Sequence, residues 1–246
     1  MKQTIYTIID NAPLTADVSR MVLWGDMSAF TAPGQFVNLL IDGLYLRRPI
    51  SVCDLADDRL TLIYKVVGQG TEKMRQMRPG ETIDALSGLG NGYDLSPAGE
   101  KPLLLGGGVG VPPLYLLAKK LIARGKAVSV RLGFNTAGEV FYEDEFRALG
   151  ADVRVATVDG SHGQKGFVTD ILPEECSHYF ACGPEPMLKA VHRAVQSDGQ
   201  LSFEARMGCG FGACMGCTCE TIAGYKRICK DGPVMRKEEL IWNAQR

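Results

Sequence analysis

Cysteines near the C-terminal end of the chain have the spacing of a metal-cluster site. Cys209, Cys214 and Cys217 form a C-x4-C-x2-C run, and Cys229 follows after eleven further residues. This is the ligand spacing of a plant-type [2Fe-2S] centre. Glycines at positions 208, 210, 212 and 216 would let the backbone wrap closely around the sulfides and direct amide N–H groups at them. We therefore predict a [2Fe-2S] cluster held by these four thiolates.

Disulfides and a structural zinc site are the competing interpretations. Four of the eight cysteines lie between Cys209 and Cys219, and one short segment cannot easily satisfy several bridge geometries. Structural zinc sites usually pair two short CxxC or CxxH clips, and only one such clip is present. Cys219 breaks the ligand spacing and is left out of the predicted set. Cys53 and Cys176 stand alone and are predicted to be inert buried thiols.

A glycine-rich loop near the middle of the chain could bind the phosphates of a dinucleotide. The apolar run 103–105 leads into Gly106-Gly107-Gly108-Val109-Gly110, and Pro112 or Pro113 can open the helix that follows. Such a loop presents free N–H groups to a phosphate. It departs from the G-x-G-x-x-G fingerprint, because Val111 takes the third glycine position and no acidic residue ends the next strand.

A second loop supports the same interpretation. Cys182-Gly183-Pro184-Glu185-Pro186-Met187 also follows a predicted strand and opens a predicted helix. In open α/β sheets, ligands bind at the carboxyl ends of the strands. A Cys-Gly-Pro turn on its own could be turn chemistry only. Together the loops predict a nicotinamide site made of Gly106, Gly107, Gly108, Gly110, Cys182, Gly183 and Pro184.

Two motifs in the first hundred residues could hold a flavin nucleotide. Arg47-Arg48-Pro49-Ile50-Ser51 combines cations, a rigid turn and a hydroxyl group, which a phosphate or a flavin ring could use. Ile63-Tyr64-Lys65 belongs to a predicted strand, and Gly68-Gln69-Gly70-Thr71 opens a predicted helix, which makes a second anion cradle. Taken alone, Arg48 would be a surface charge and Tyr64 strand packing. The pairing of the two motifs favours the cofactor site.

The elements that must position these residues change character twice along the chain. β-rich runs at 4–9, 18–24, 36–41, 60–67 and 82–86, separated by turn signals, predict a small antiparallel barrel. Pro97, Gly99 and Pro102 mark a boundary, after which alternating strands and helices predict a parallel α/β sheet. The Gly- and Cys-rich remainder has little periodicity, as expected where a metal centre replaces an apolar core. The predicted domains are residues 1–99, 100–200 and 201–246.

Composition argues against several other classes. The 246 residues include 27 basic and 28 acidic side chains, without a long run of one charge, so nothing predicts a nucleic-acid surface. No secretory signal pattern is visible at the N-terminus. The longest apolar stretch, around 109–118, contains two prolines and is too short to span a bilayer. We expect a cytoplasmic protein with neither nucleic-acid nor membrane partners.

The order of the motifs resembles the ferredoxin reductase family over nearly the whole chain. Within it, the terminal cysteine segment, residues 48–51, Gly88-Leu89-Gly90-Asn91-Gly92 and Cys229-Lys230-Asp231-Gly232-Pro233-Val234 resemble one branch, the electron-transfer subunits of NAD-dependent, type B dihydroorotate dehydrogenase. The resemblance implies an α+β multidomain protein: an N-terminal antiparallel FAD-binding β-barrel, an α/β parallel-sheet nicotinamide domain and a small C-terminal [2Fe-2S] segment.

The resemblance also implies roles for the flavin motifs. Residues 48–51 would contact the flavin ring and phosphates, residues 63–65 the ribityl and adenylate side, and Gly70 with Thr71 the pyrophosphate. The wider family commonly has Tyr at the position of Ile50, where it stacks on the flavin. The stacking residue of this chain is therefore left open.

What the resemblance implies chemically is an electron-transfer chain in pyrimidine biosynthesis. An FMN-containing catalytic subunit would oxidise dihydroorotate, and this subunit would carry single electrons through [2Fe-2S] to FAD and then hydride to NAD. The expected assembly is a heterotetramer with two copies of each subunit. No general acid or base is expected, and Cys182 is the only candidate for more than binding.

Three alternatives remain open: a related FAD/[2Fe-2S] subunit of a sulfide dehydrogenase or NADP-ferredoxin oxidoreductase, a self-contained NADH reductase for an oxygenase, and a non-catalytic electron carrier. The intact Gly106 loop argues against the last. NAD is favoured over NADP because residues 133–139 contain no Lys or Arg, and Glu143, Asp144 and Glu145 would repel a 2'-phosphate. Arg131 is the nearest basic residue, and strand alternation leaves its direction open.

Overall fold

The computed structural model describes residues 1–242, and its N-terminal part is a closed antiparallel barrel of six strands. The strands are β1 (Lys2–Pro13), β2 (Val18–Trp24), β3 (Phe36–Leu39), β4 (Arg48–Ala56), β5 (Arg59–Lys65) and β6 (Thr82–Leu89). They follow the order β1-β2-β5-β4-β3-β6 around the barrel. A short helix, α1 (Gln69–Gln76), lies between β5 and β6 in the chain.

The next part of the chain alternates strands with helices, and its six strands run parallel to one another. Its strands are β7 (Pro102–Gly107), β8 (Ser129–Phe134), β9 (Asp152–Thr157), β10 (Gln164–Lys165), β11 (His178–Cys182) and β12 (Gly199–Ser202). Its helices are α2 (Pro112–Ile122), α3 (Glu143–Ala148) and α4 (Glu185–Ala194).

The cysteine-rich segment, residues 203–242, adds three more strands. β13 (Thr218–Thr221) and β14 (Gly224–Arg227) form a hairpin, and β15 (Val234–Arg236) pairs antiparallel with β12. The large sheet therefore has seven strands in the order β10-β9-β8-β7-β11-β12-β15. The cysteine-rich segment thus adds the edge strand β15 to a sheet whose first strand in the chain is β7.

Strand alternation gives β3 two functions. Val37 and Leu39 point into the apolar core of the barrel, whereas Phe36 packs with Cys217, Ile228 and other residues of the cysteine-rich segment. The outer face of β3 is therefore a contact surface for that segment.

The barrel and the large sheet share an apolar core. Leu114, Leu117 and Leu121 of α2 pack with Val130 of β8, and Cys53 of the barrel strand β4 belongs to the same cluster. Because α2 lies directly on β4, the two parts are held together by buried apolar surface.

The predicted architecture, a barrel followed by an α/β sheet and a small terminal segment, is confirmed. The five β-rich runs omitted β4, whose first residues are Arg48 and Pro49, because Pro interrupts a strand signal although it is tolerated at the start of a strand. Between β8 and β9 the chain forms a single 3-10 turn, Ala137–Glu139, which is followed by the short helix α3. Among residues 1–242, no helix is long and apolar enough to cross a membrane.

Candidate functional site

The first predicted flavin motif and the start of α1 lie against each other. A Cβ placed on Gly70 would overlap the guanidinium group of Arg48, so a side chain there would displace this guanidinium. The Thr71 hydroxyl accepts hydrogen bonds from the amides of Val67 at 2.9 Å and Gly68 at 3.3 Å, which fixes the turn before the helix. A guanidinium over the N-terminal end of a helix provides two attractions for an anion. This cradle fits the pyrophosphate of FAD.

The rest of the first motif runs along β4 beside β3. Pro49 lies opposite Asn38 and Ser51 opposite Phe36, and directly opposed residues of antiparallel strands share a face. Ile50 lies opposite Val37 and packs, half-buried, against the barrel core. An aliphatic side chain in that position offers no ring for stacking on a flavin.

The second motif reaches the surface only in part. Ile63 and Tyr64 are buried, and the Tyr64 hydroxyl donates a 3.0 Å hydrogen bond to Oδ1 of Asn11. Lys65 is half-exposed and pairs with Asp17 at 2.9 Å, and the hydrogen-bonded carboxylate raises the pKa of the Lys65 ammonium. Of these three side chains, only that of Lys65 is placed to meet a cofactor, whereas Ile63 and Tyr64 offer backbone groups.

The two predicted nicotinamide loops meet at the carboxyl ends of neighbouring strands. Gly106 at the end of β7 lies opposite Cys182 at the end of β11. A Cβ on Gly110 would overlap the backbone of Cys182, and Met187 packs against both Gly107 and Gly183. Glycine is therefore required for the close packing of the two loops.

The donors for a phosphate must come from the loop itself. Pro112 and Pro113 occupy the first positions of α2 and carry no N–H, so the helix lacks two of the donors that a helix N-terminus usually presents. Gly108 has a φ of +51°, and no other atom lies near the place of its missing side chain. This open backbone face suits the approach of a dinucleotide.

Burial raises the pKa of the Cys182 thiol to about 12, against an opposing hydrogen bond with Ser202. The thiol is therefore protonated at neutral pH. A protonated thiol is a weak nucleophile, which favours a contact role over covalent chemistry.

The four predicted cluster ligands fall into two pairs. In the first pair, the amides of Ala213 and Cys214 donate to the sulfur of Cys209 at 3.2 and 3.4 Å, and the Cys209 amide donates to the Cys214 sulfur at 3.5 Å. In the second, the Cys229 amide donates to the Cys217 sulfur at 3.4 Å. A two-iron cluster held by four cysteines takes two thiolates at each iron. The pairing fits that donor set.

The two pairs differ in electrostatics. Burial raises the pKa of Cys209, but amide donors from residues 211–214 outweigh it and bring the pKa to about 6. Burial and the neighbouring Cys217 raise the pKa of Cys229 to about 12. Bound iron would supply the positive charge that lets all four sulfurs ionise together. Within residues 1–242, no group of three or more His, Cys, Asp or Glu side chains is gathered closely enough to hold one metal ion.

Cys219 lies outside both pairs. Its sulfur is 3.9 Å from the sulfur of Met235 at the edge of an apolar cluster. Burial raises the pKa of its thiol. This environment agrees with leaving Cys219 out of the ligand set, which stays a prediction.

Two side chains that the sequence did not single out hold the cysteine loop. The Arg227 guanidinium donates a hydrogen bond to the Gly212 carbonyl at 3.0 Å and another to the Asp231 carboxylate at 2.9 Å. Asn38 of β3 donates from Nδ2 to the Cys209 carbonyl at 3.1 Å, and Gly210 packs against the same amide. The i, i+4 spacing of Arg227 and Asp231 beside Cys229 was a detectable signal. The Asn38 contact joins residues 171 positions apart and had none.

Arg131 is unavailable to a dinucleotide. Its side chain is 1% exposed, and it donates to the carbonyls of Ile171 and Asp152 at 2.8 and 2.9 Å and to the Asp152 carboxylate at 2.8 Å. These groups satisfy the guanidinium at the opening end of β9, away from the carboxyl edge of the sheet.

The barrel, the α/β sheet and the paired thiols together define an oxidoreductase with a ferredoxin reductase fold. Two family models match parts of the chain: residues 104–193 match the oxidoreductase NAD-binding domain, and residues 204–241 match the iron-sulfur cluster binding domain of dihydroorotate dehydrogenase B.

Relatives that align over nearly the whole chain identify the family within this class of oxidoreductases. The dihydroorotate dehydrogenase B (NAD(+)) electron transfer subunit of Geobacillus sp. (strain WCH70) is 44% identical over 256 aligned positions, which cover 98% of this chain and 99% of the relative. The subunit of the same name from Fusobacterium nucleatum is 45% identical, and the alignment covers 95% of this chain and 96% of the relative. The chain belongs to the family of dihydroorotate dehydrogenase B (NAD(+)) electron transfer subunits.

Solved structures agree on the fold. A chain of NADH-dependent reduced ferredoxin-NADP oxidoreductase superposes with a TM-score of 0.87 at 30% identity, covering 96% of this chain and 90% of that one. A ferredoxin NADP+ reductase from Neisseria gonorrhoeae, with bound FAD and NADP, has a TM-score of 0.66 at 18% identity over 79% of this chain and 90% of that one, which shows the fold alone.

Proposed function

We propose that this chain is the NAD-reducing electron-transfer subunit of a dihydroorotate dehydrogenase, carrying electrons from dihydroorotate oxidation in a partner subunit through [2Fe-2S] and FAD to NAD. The observation that carries the proposal is the hydrogen bond between Asn38 and the Cys209 carbonyl. It holds the cysteine loop on β3, the strand that pairs with β4, where the first flavin motif begins. The turn at Gly108–Gly110 packs against β5 of the same barrel. All three candidate sites therefore adjoin one another.

The residues of each site bind and orient one redox group. When bound, FAD supplies the exchange between hydride on the nicotinamide and single electrons at the iron-sulfur cluster. Arg48 and the Gly70-Thr71 turn hold the flavin nucleotide phosphates, and Pro49, Ile50 and Ser51 border the ring. The Ile63-Tyr64-Lys65 stretch flanks the ribityl and adenylate side.

The remaining two sites bind the electron donors and acceptors on either side of the flavin. Gly106 to Gly110 and the Cys182-Gly183-Pro184 turn bind the dinucleotide through backbone groups. The sulfurs of Cys209, Cys214, Cys217 and Cys229 ligate iron. No side chain is needed as a general acid or base for this task.

The assembly is the second part of the proposal. The partner is the catalytic subunit of dihydroorotate dehydrogenase B, and we infer that it contains FMN and forms a heterotetramer with two copies of each chain. Phe211 and Met215, on the cysteine loop, are 42% and 53% exposed, which supports the loop as the side that meets the partner. A cytoplasmic location suits four thiols that must stay reduced to bind iron. The proposed domains are residues 1–99, 100–200 and 201–246.

The test uses the purified chain with and without its catalytic partner. We expect NADH to bleach the flavin of the isolated chain and dihydroorotate to leave it unchanged. Together with the partner, dihydroorotate oxidation should become coupled to NAD reduction. Dihydroorotate oxidation by the isolated chain would contradict the division of labour.

An NADP-ferredoxin type of subunit is the second candidate, because the structural relative at a TM-score of 0.87 belongs to an NADP-linked complex. The burial of Arg131 disfavours it, since the guanidinium nearest the predicted 2'-phosphate position is fully occupied. A preference for NADPH in flavin reduction would move this candidate to first place.

A further inference from the structure

The strand β8 has no acidic residue at its end in the sequence, yet the structure places one there. The chain leaves β8 after Phe134 and passes through the 3-10 turn Ala137–Glu139. The Glu139 carboxylate then reaches back to Asn135. The Asn135 backbone amide donates to its Oε2 at 3.2 Å, and the Asn135 side-chain amide donates to Oε2 at 2.9 Å and to Oε1 at 3.2 Å. A carboxylate is thus held just beyond the carboxyl end of β8.

The loop that carries Glu139 is fixed by the loop after β9. The Ala137 amide donates to Oγ of Ser161 at 2.7 Å, and the Asp159 amide donates to the Asn135 carbonyl at 3.2 Å. The Ser161 hydroxyl in turn donates to the Asp159 carboxylate at 2.6 Å. Because β8 and β9 are parallel and pair along their whole length, both loops lie at the same edge of the sheet. The position of the carboxylate is therefore set by the fold.

Glu139 borders the cleft in which the predicted dinucleotide loop lies. Because β7 and β8 are parallel neighbours, the loop after β7 and the loop of Glu139 leave the sheet side by side. On the barrel side, the hydrogen bond to Asp17 has the larger effect in raising the pKa of the Lys65 ammonium, and the charge of Glu139 adds to it. The turn at Gly108–Gly110 packs against β5, the strand that ends at Lys65. The carboxylate, the glycine loop and β5 therefore border one cleft.

The Glu139 carboxylate has both the capacity and the access to accept a further hydrogen bond. Its two oxygens offer about four acceptor sites. Within residues 1–242 only Asn135 donates to them, and the Glu139 side chain is half-buried rather than enclosed. In dinucleotide-binding sheets an acidic side chain at the end of the second strand accepts a hydrogen bond from the 2'-hydroxyl of the adenosine ribose. Glu139 supplies such an acceptor by folding back, which is why the strand itself carries no acidic signal.

We propose that Glu139 binds the 2'-hydroxyl of the adenosine ribose of NAD, and that Asn135 holds the carboxylate in the orientation for this contact. The inference rests on the proposed function, because it requires NAD at the loop after β7. It adds a side chain to a site that otherwise uses the backbone groups of Gly106 to Gly110 and of the Cys182 turn. Because the acceptor is charged, this contact is stronger than a hydrogen bond between neutral groups.

The test measures binding rather than turnover, in the full-length chain loaded with FAD and iron-sulfur cluster and kept oxidised. Isothermal titration calorimetry gives the dissociation constants of NAD and of the NAD analogue that lacks the adenosine 2'-hydroxyl. The variants are Glu139→Ala, which removes the acceptor, and Glu139→Gln, which keeps an oxygen for Asn135 and removes the charge. Glu174→Gln is the matched control, because Glu174 is exposed in the loop before β11, at the opposite edge of the sheet.

In the parent chain, we expect removal of the hydroxyl group to raise the dissociation constant roughly 10- to 150-fold, as for the loss of one hydrogen bond to a charged group. Glu139→Ala should bind NAD as weakly as the parent binds the analogue, and it should no longer distinguish the two ligands. Glu139→Gln should lose less affinity for NAD, because its amide oxygen still accepts. Glu174→Gln should match the parent with both ligands.

Three results would overturn the inference. Equal affinities of the parent for NAD and the analogue would mean that the 2'-hydroxyl is not bound, and a parental affinity for NAD in Glu139→Ala would mean that Glu139 does not bind it. An equal loss of affinity for both ligands in Glu139→Ala would reduce Glu139 to support of its loop. A parent chain that bound neither ligand is a separate outcome, because it would refute the proposed function itself and the inference with it.

Discussion

Three arginines of this chain have different structural roles because their surroundings differ. Arg48 lies half-buried against Gly70 at the start of α1, where its guanidinium can meet an anion. Arg131 is buried, and its guanidinium is hydrogen-bonded to backbone carbonyls and to the Asp152 carboxylate, so its role is structural. Arg227 is pinned by Asp231 and donates to the cysteine loop. Their sequence neighbourhoods do not separate these roles, because the partners come from distant elements.

Replacement of Arg48 by Ala should weaken FAD binding. A hydrogen bond to a charged group contributes about 1.5–3 kcal/mol, so we expect the FAD dissociation constant to rise roughly 10- to 150-fold. Fluorescence titration of the apoprotein with FAD measures the change. Arg124→Ala, in the exposed turn that follows α2, is the control and should bind FAD normally. An unchanged dissociation constant for Arg48→Ala would make Arg48 an ordinary surface charge.

Serine substitutions test the cluster ligands one at a time. Cys209→Ser, Cys214→Ser, Cys217→Ser and Cys229→Ser should each remove the visible absorption of the [2Fe-2S] cluster, since each iron needs its pair of thiolates. Cys219→Ser should keep it, because the Cys219 sulfur contacts Met235 instead. The cluster content of each variant is measured by iron analysis and by its visible absorption spectrum. A cluster retained in Cys229→Ser and lost in Cys219→Ser would reverse the assignment.

At the scale of elements, the nicotinamide site depends on close packing between the loop after β7 and the loop after β11. Gly110→Ala should force these loops apart, because the new Cβ overlaps the backbone of Cys182. Overpacking of this kind costs about 1–3 kcal/mol. We expect slow flavin reduction by NADH with FAD and cluster content retained, measured by stopped-flow absorption.

The control for Gly110→Ala is Gly150→Ala. Gly150 also lies in a turn, with a φ of +92°, and has no atom near the place of its side chain. It should lower stability somewhat and leave the rate of flavin reduction unchanged. Equal rates in both variants would mean that the two loops do not form the dinucleotide site.

The loop after β8 should select NAD over NADP. It offers no free cation, because residues 133–139 contain neither Lys nor Arg and Arg131 is fully hydrogen-bonded. The predicted repulsion by acidic residues is weaker than the sequence suggested, because Glu143 pairs with Arg147 and His162, so the expected selectivity rests on the lack of a cation in this loop. The ratio of kcat/KM for NADH and NADPH in flavin reduction is the measurement. A ratio in favour of NADPH would contradict the prediction.

Elements whose signals are local could be predicted from the sequence, and elements made by distant pairing could not. The strand β2 and the loop of Gly106 to Gly110 follow directly from alternation and glycine content. The strand β15 is three residues long and forms only because β12 offers a partner. Likewise, the cysteine spacing indicated the cluster, whereas the Asn38 contact depends on how the segment docks on β3.

At the scale of the whole molecule, the cysteine-rich segment joins both other parts. It packs on the outer face of β3 and β6 and supplies β15 to the large sheet. Loss of iron should therefore destabilise more than its own loop. We expect removal of the cluster by chelation to lower the unfolding temperature of the barrel and the sheet together, by about 2–4 °C for each kcal/mol lost.

Flavin fluorescence and far-UV circular dichroism follow the two parts separately during heating. The control is chelator treatment of Cys209→Ser, which has no cluster to lose and should show no further shift. If release of flavin kept its temperature after chelation while the circular dichroism transition moved, the barrel would be independent of the segment.

The position of β15 also bears on how the chain is made. Synthesis delivers β12 before β15, and the four cysteines lie between these two strands, so until the cluster segment folds, β12 is the outermost strand of its sheet. An uncovered strand edge pairs readily with other chains. Delivery of iron to a newly made chain would then decide between closure of the sheet and aggregation, which makes cofactor supply a condition for solubility during biogenesis as well as for electron flow.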